Sequence, residues 1–221
     1  MTRQLIIGFV TEGTTDTRFL GSIIQRSFEH IAFECKGQIE ILPIQHLIKE
    51  PGIEFIESVK SCAKKALNIG VMVLCVHVDA DYKNDSIVFR HKFDPIFSEI
   101  EYWPQAIYCN NIIAVVPVQM TESWMLSDTT LFKDEIGTNR SEIELGIHKN
   151  PETYKDPKEI IKEAIRISRQ DETKRRRRNL KIHELYSSIG QKIDLTALEN
   201  LKSYQKFSNS IRSVYEKLNY L

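Results

Sequence analysis

The sequence predicts an α/β fold, with a largely parallel sheet of about four strands, flanking helices and a C-terminal helical extension. Over the first half to two-thirds of the chain, short apolar runs alternate with stretches of helical spacing, which is typical of βαβ units. Residues 71–78 form an almost continuous apolar run rich in β-branched side chains, as a parallel strand covered on both faces requires. After Glu122 only helical patterns follow, so the sheet is expected to end there.

The individual elements follow from the apolar spacing and from the residues that bound each run. The predicted strands are residues 4–10, 39–44, 71–78 and 111–118, and the predicted helices follow Thr14 and span residues 53–67 and 93–100. Asp156 and Pro157 open a further helix, and residues 195–221 hold two more. We therefore divide the chain into a core of residues 1–130 and a helical, basic extension of residues 131–221 packed on that core.

Two carboxylates follow the third predicted strand directly. Asp79 and Asp81 are separated by Ala80, and side chains two residues apart on an extended chain point the same way. Parallel sheets place their ligands beyond the carboxyl ends of their strands, and hard oxygen donors there suit Mg2+. The sequence therefore predicts that both acids bind one ion.

Other acids follow the remaining strands. Glu12 lies where the first strand leads into the first helix, beside Gly13, and we expect it to act as a third metal ligand or as a general acid or base. Asp16 and Glu122 are expected as supporting metal ligands. A first-turn acid that complements the helix dipole explains either of them equally well. His77, inside the third strand, is interpreted as a core residue.

The charges are unevenly distributed along the chain. Residues 1–148 carry 13 Lys and Arg against 20 Asp and Glu, whereas residues 149–221 carry 17 against 10. A basic run lies in the second part, and it is expected to bind nucleic acid phosphates through Lys174, Arg175, Arg176, Arg177 and Arg178. A solvated loop, a partner-binding tail or a targeting-like patch has the same composition, and the sequence does not separate these alternatives.

The motifs together resemble the Toprim fold, a Rossmann-like α/β fold shared by topoisomerases, bacterial primases and OLD-family nucleases. The resemblance lies in the Glu-Gly pair at Glu12 with Asp16, and in the Asp-x-Asp of Asp79 and Asp81. A narrower group of Toprim-related proteins is similar over most of the chain, through Pro117, Glu122, the segment 123–128 and the Asn-Pro-Glu segment at 150–152. The resemblance implies one or two Mg2+ or Mn2+ ions and phosphodiester chemistry. It also implies a partner ATPase of the ABC or AAA type.

The function expected from these features is metal-dependent cleavage of DNA or RNA, with Glu12, Asp79 and Asp81 as catalytic residues. The resemblance places such a nuclease as the effector of an ATPase-coupled antiviral defence system in prokaryotes. One alternative is a catalytically inactive Toprim-like subunit that binds nucleic acid or the ATPase. A second is a nucleotide-sugar glycosyltransferase, because those enzymes also bind metal through an Asp-x-Asp motif.

Composition limits where the chain is expected to work. No apolar run approaches bilayer-spanning length, and the four cysteines are scattered without a C-x-x-C spacing. We therefore expect no membrane contact, no disulfide framework and a cytoplasmic location. A homo-oligomer is compatible with the sequence. Zinc is disfavoured because no paired-histidine motif occurs.

Overall fold

A parallel four-stranded sheet forms the centre of the fold in the computed structural model, which describes residues 2–11, 13–50, 52–170 and 180–221. The strands within these ranges are β1 (Arg3–Leu5), β2 (Ile7–Val10), β3 (Ile39–Ile41), β4 (Gln45–Leu47), β5 (Val73–His77) and β6 (Ile112–Val115). The main sheet has the order β4-β2-β5-β6, and β1 pairs with β3 in a separate parallel ribbon. The predicted α/β class with a parallel sheet is confirmed.

The boundaries of the first two predicted strands are wrong in an informative way. The apolar run of residues 4–10 is divided at Ile6 between β1 and β2. The second predicted strand, residues 39–44, is shorter than expected, because β3 ends at Ile41, before Pro43. The chain then joins the main sheet as β4, a strand that was not predicted. Proline has no backbone N–H for a ladder hydrogen bond, so the chain changes partner there.

Helices cover both faces of the sheet. Within the described ranges they are α1 (Thr14–Ala32), α2 (Phe55–Asn68), α3 (Ser86–Val88), α4 (Asp94–Glu99), α5 (Glu122–Met125), α6 (Thr129–Ile136), α7 (Glu142–Leu145), α8 (Pro157–Ser168), α9 (Leu185–Lys192), α10 (Leu195–Leu198) and α11 (Lys202–Lys217). As predicted, α8 begins at Asp156 and Pro157, where the Asp156 side chain accepts a hydrogen bond from the Glu159 amide at 2.9 Å. None of these helices has the length and apolar character that a membrane span needs.

Side chains alternate along β5 between two hydrophobic clusters. Leu74 and Val76 pack with Val59 of α2, whereas Val73 and Cys75 join the cluster on the opposite face. That second cluster contains α1 and also residues of α8, α9 and α11. The core is therefore continuous across residue 130, and the division of the chain at that point stays a prediction. All four cysteines are free thiols.

Candidate active site

Acids from three elements meet at the carboxyl edge of the main sheet. Asp79 lies two residues beyond β5, Asp16 is in the first turn of α1 after β2, and Glu122 begins α5 after β6. The Nε2 atom of His77 is 3.6 Å from Asp79 Oδ1 and 4.0 Å from Asp16 Oδ2. The strands are parallel, so the segments that follow them emerge at one edge. This acid cluster of Asp16, Asp79 and Glu122 is the candidate site.

Asp79 is held firmly in an unfavourable electrostatic environment. Its Oδ1 atom accepts hydrogen bonds from the Thr121 amide at 2.8 Å and from the Thr121 hydroxyl at 3.1 Å. Burial, followed by the charges of Asp16 and Glu122, raises the pKa of Asp79 to about 8, although the Thr121 hydrogen bonds act in the opposite direction. The side chain keeps 28% exposure, so a ligand can still reach it.

His77 contributes its polar edge to the acid cluster, although its side chain is buried as the sequence predicted. Its Nδ1 atom is 3.0 Å from the carbonyl oxygen of Val115. A carbonyl can only accept a hydrogen bond, so Nδ1 carries a proton. The other ring nitrogen, Nε2, faces the two carboxylates and is 3.4 Å from the Thr121 hydroxyl. The interpretation of His77 as a core residue was therefore incomplete.

Glu122 receives two partners from the C-terminal helices. Tyr186 of α9 donates a hydrogen bond to Glu122 Oε1, and Lys158 Nζ of α8 is 3.5 Å from the same oxygen. Burial, followed by the hydrogen bond to Glu122, raises the pKa of Tyr186 far above its usual value, so the phenol remains a donor. The Lys158 side chain is 47% exposed, which leaves its ammonium group accessible from solvent.

Sequence reasoning missed both Tyr186 and Lys158. One local signal existed for Lys158, because a cation in the first turn of a helix opposes the helix dipole. Tyr186 gave no such signal, since its partner Glu122 is 64 positions away in the chain.

Asp81 is placed differently from Asp79. Asp81 is exposed, and its backbone has the left-handed φ of 56°. The strand β5 ends at His77, so the alternation of side chains in an extended chain does not apply to residues 79–81. Asp81 is also absent from the charges that raise the pKa of Asp79. Its predicted role as a ligand of the same ion stays a prediction that these observations do not support.

Some of the predicted site residues fall outside the part of the chain that the structure describes. Glu12 lies outside the described residues, and so do Lys174, Arg175, Arg176, Arg177 and Arg178. Asp85, the next acid along the chain after Asp81, is buried and accepts hydrogen bonds from Lys206 Nζ at 2.7 and 2.6 Å, which ties it to α11.

The acid cluster has the chemistry that Mg2+ or Mn2+ requires, because its donors are carboxylate oxygens. The raised pKa of Asp79 fits this assignment, since a bound cation would offset both the burial of its charge and the repulsion from Asp16 and Glu122. Within the described ranges, no three acidic, histidine or cysteine side chains are already arranged to coordinate a metal ion. Asp16 and Asp79 could hold the ion, with Glu122 as a further ligand.

Comparisons of the chain with family models, with curated proteins and with solved structures find no match. The Toprim resemblance therefore rests on the sequence motifs.

Proposed function

We propose that this protein is a Mg2+- or Mn2+-dependent nuclease with a Toprim-like fold. The observation that carries the proposal is the acid cluster at the carboxyl edge of the parallel sheet, where burial, followed by the charges of Asp16 and Glu122, raises the pKa of Asp79 to about 8. Such repulsion is costly in a folded protein, and it is typical of sites that bind a cation or act on protons. When bound, a divalent ion supplies the charge neutralisation and the activated water that phosphodiester cleavage needs.

The residues around the cluster have separate roles in this proposal. Thr121 fixes the orientation of Asp79 through two hydrogen bonds, and the Val115 carbonyl fixes the ring of His77. The Lys158 ammonium is exposed at the site, and it is suited to bind a non-bridging phosphate oxygen. Glu122, held by Tyr186, keeps the Lys158 ammonium at the edge of the acid cluster.

Support for an ATPase partner comes only from the sequence motifs that resemble Toprim-related proteins. Toprim-related proteins with these segments are often encoded beside an ABC or AAA ATPase, and this supports an effector role in antiviral defence. The proposed substrate is nucleic acid, either DNA or RNA, whether or not the protein acts with an ATPase.

Cleavage assays test the reaction. Purified protein is incubated with plasmid, single-stranded DNA or tRNA in Mg2+, in Mn2+ or in EDTA, with and without a co-purified ATPase. We expect metal-dependent cleavage of at least one substrate, abolished in Asp79→Asn and retained in Asp134→Asn, which removes an exposed acid of α6. Metal-dependent cleavage that survives in Asp79→Asn would overturn the site assignment. No cleavage under any condition would favour the non-catalytic binding subunit, and hydrolysis of a UDP-sugar would favour glycosyl transfer.

A further inference from the structure

The segment of residues 82–92 follows the candidate site directly and presents an aromatic ring to solvent. Tyr82 is 56% exposed and lies three positions beyond Asp79. The backbone of Tyr82 is anchored to Gln119, which is two positions before the Thr121 that holds Asp79. The exposed ring is therefore attached to the same two chain segments that position the central acid of the site.

The backbone at this point is held in an unusual conformation. The Asp81 amide donates to the Gln119 carbonyl at 2.7 Å, and the Gln119 amide donates to the Tyr82 carbonyl at 3.1 Å. Asp81 and Gln119 have φ values of 56° and 63°, in the left-handed region that residues other than glycine rarely adopt. Such conformations persist where the surroundings impose them, so the turn that carries Tyr82 is firmly defined.

The rest of the segment is fastened to the body of the protein. Asp85 is buried against Lys206 of α11, and the Lys206 ammonium also lies 5.5 Å from the centre of the Phe89 ring. The Asn84 side chain accepts a hydrogen bond from the Ser86 amide at 3.1 Å, which closes a local turn. These contacts hold the backbone of the segment in place, so its exposed side chains project from a well-defined backbone.

The segment is also basic within an acidic part of the chain. It contains Lys83, Arg90 and Lys92 against Asp85 alone, and Asp85 is already paired with Lys206. Lys83 and Arg90 are exposed. An exposed aromatic ring in the same segment as exposed cations is the combination that binds unpaired bases together with their phosphates.

Resting on the proposed nuclease function, we propose that residues 82–92 bind single-stranded nucleic acid and that Tyr82 stacks on an unpaired base beside the acid cluster. The bases of a duplex are stacked on each other and are not available to Tyr82. The substrate class is therefore a single strand, or an unpaired region of a folded RNA or DNA.

Fluorescence anisotropy in EDTA tests the proposal without requiring cleavage. The probe is a fluorescein-labelled oligothymidylate of about 20 nucleotides, compared with a duplex of the same length. We expect Tyr82→Ala to weaken binding of the single strand by about tenfold. Tyr82→Phe keeps an aromatic ring and should bind as the wild type does. Tyr102→Ala is the matched control, because Tyr102 is 84% exposed and lies in the connection that leads to the amino end of β6.

Unchanged affinity in Tyr82→Ala, or equal loss in Tyr102→Ala, would overturn the proposal, and so would wild-type preference for the duplex. These results leave the proposed nuclease reaction standing if the wild type still cleaves. Conversely, if single-strand binding depends on Tyr82 but the wild type cleaves no substrate, the binding surface would be supported and the nuclease proposal would be rejected.

Discussion

At the scale of single residues, Asp79 combines firm positioning with an unfavourable charge. The Thr121 hydrogen bonds fix the carboxylate, while burial and the neighbouring acids disfavour its ionised form. A group that is held where its charge is costly is a sign of function, because stability alone would select a neutral side chain.

This charge predicts a dependence of stability on pH in the metal-free protein. Folding raises the pKa of Asp79 from 3.8 to about 8. Between these two pH values the folded state keeps a proton on Asp79 that the unfolded state has released. The free energy of unfolding therefore falls as the pH rises through this window, and the loss is complete above the folded pKa. Urea unfolding in EDTA should show that Asp79→Asn stabilises the protein by about 1–3 kcal/mol more near the upper end of the window than near its lower end. An equal effect of the substitution at both ends would contradict the assignment.

Lys158 provides a second prediction at this scale. Replacing it with Met should lower the rate of cleavage by about 100-fold, because the site loses the cation that neutralises phosphate charge in the transition state. Lys158→Arg should retain more activity than Lys158→Met, since the positive charge remains. The control is Lys155→Met, which removes an exposed lysine just before α8. Steady-state kinetics measures the effect, and equal rates for Lys155→Met and Lys158→Met would remove Lys158 from the site.

At the scale of elements, the packing of α9 on α1 joins two parts of the site. Asp16 is on α1 and Tyr186 is on α9. The helices lie close together at Gly190, where an added Cβ would be 2.7 Å from the Phe19 carbonyl oxygen. Arg26 of α1 strengthens the contact by donating to the carbonyl oxygens of Gly190 and Ile193, at 3.3 and 2.6 Å. The position of the Tyr186 hydroxyl thus depends on this helix pair.

Gly190→Ala should therefore destabilise the protein by about 1–3 kcal/mol, through overpacking against α1. Helix propensity alone predicts the opposite sign, a gain of about 1 kcal/mol for Ala over Gly. The substitution should also reduce activity, because α9 carries Tyr186 away from Glu122. Urea unfolding measures the change, with Ser187→Ala on the exposed face of α9 as the control. Stabilisation by Gly190→Ala would show that the helices separate without strain.

At the scale of the whole molecule, the uneven charge of the sequence is partly balanced by contacts across the fold. Cations from the basic C-terminal part pair with acids from the N-terminal part in Lys158–Glu122, Lys192–Glu135, Lys206–Asp85 and Arg212–Glu34. Two of these acids, Glu122 and Asp85, are buried and need a partner to offset desolvation. These pairs tie the basic part of the chain to the acidic part, and the Lys158 ammonium, 3.5 Å from Glu122, still remains accessible to a substrate.

The sequence predicted those features that depend on local pattern. The continuous apolar run revealed β5. Of the acids predicted as metal ligands, the two supporting ones, Asp16 and Glu122, lie close enough to Asp79 for their charges to act on it, whereas Glu12 lies outside the described residues. The placement of Asp81 could not be predicted, because the alternation rule ends where the strand ends, at His77. The contacts of Glu122 with Tyr186 and Lys158 were equally hidden, since they depend on how distant helices pack.

The most direct test of the central claim is a calorimetric titration of the protein with Mn2+. If the acid cluster holds a divalent ion, the wild type and Asp134→Asn should bind Mn2+ with the same affinity. Asp79→Asn should bind at least about tenfold more weakly, because a metal ligand has been removed. Equal binding by the wild type and Asp79→Asn, or no binding by the wild type, would contradict the assignment of this cluster as the metal site.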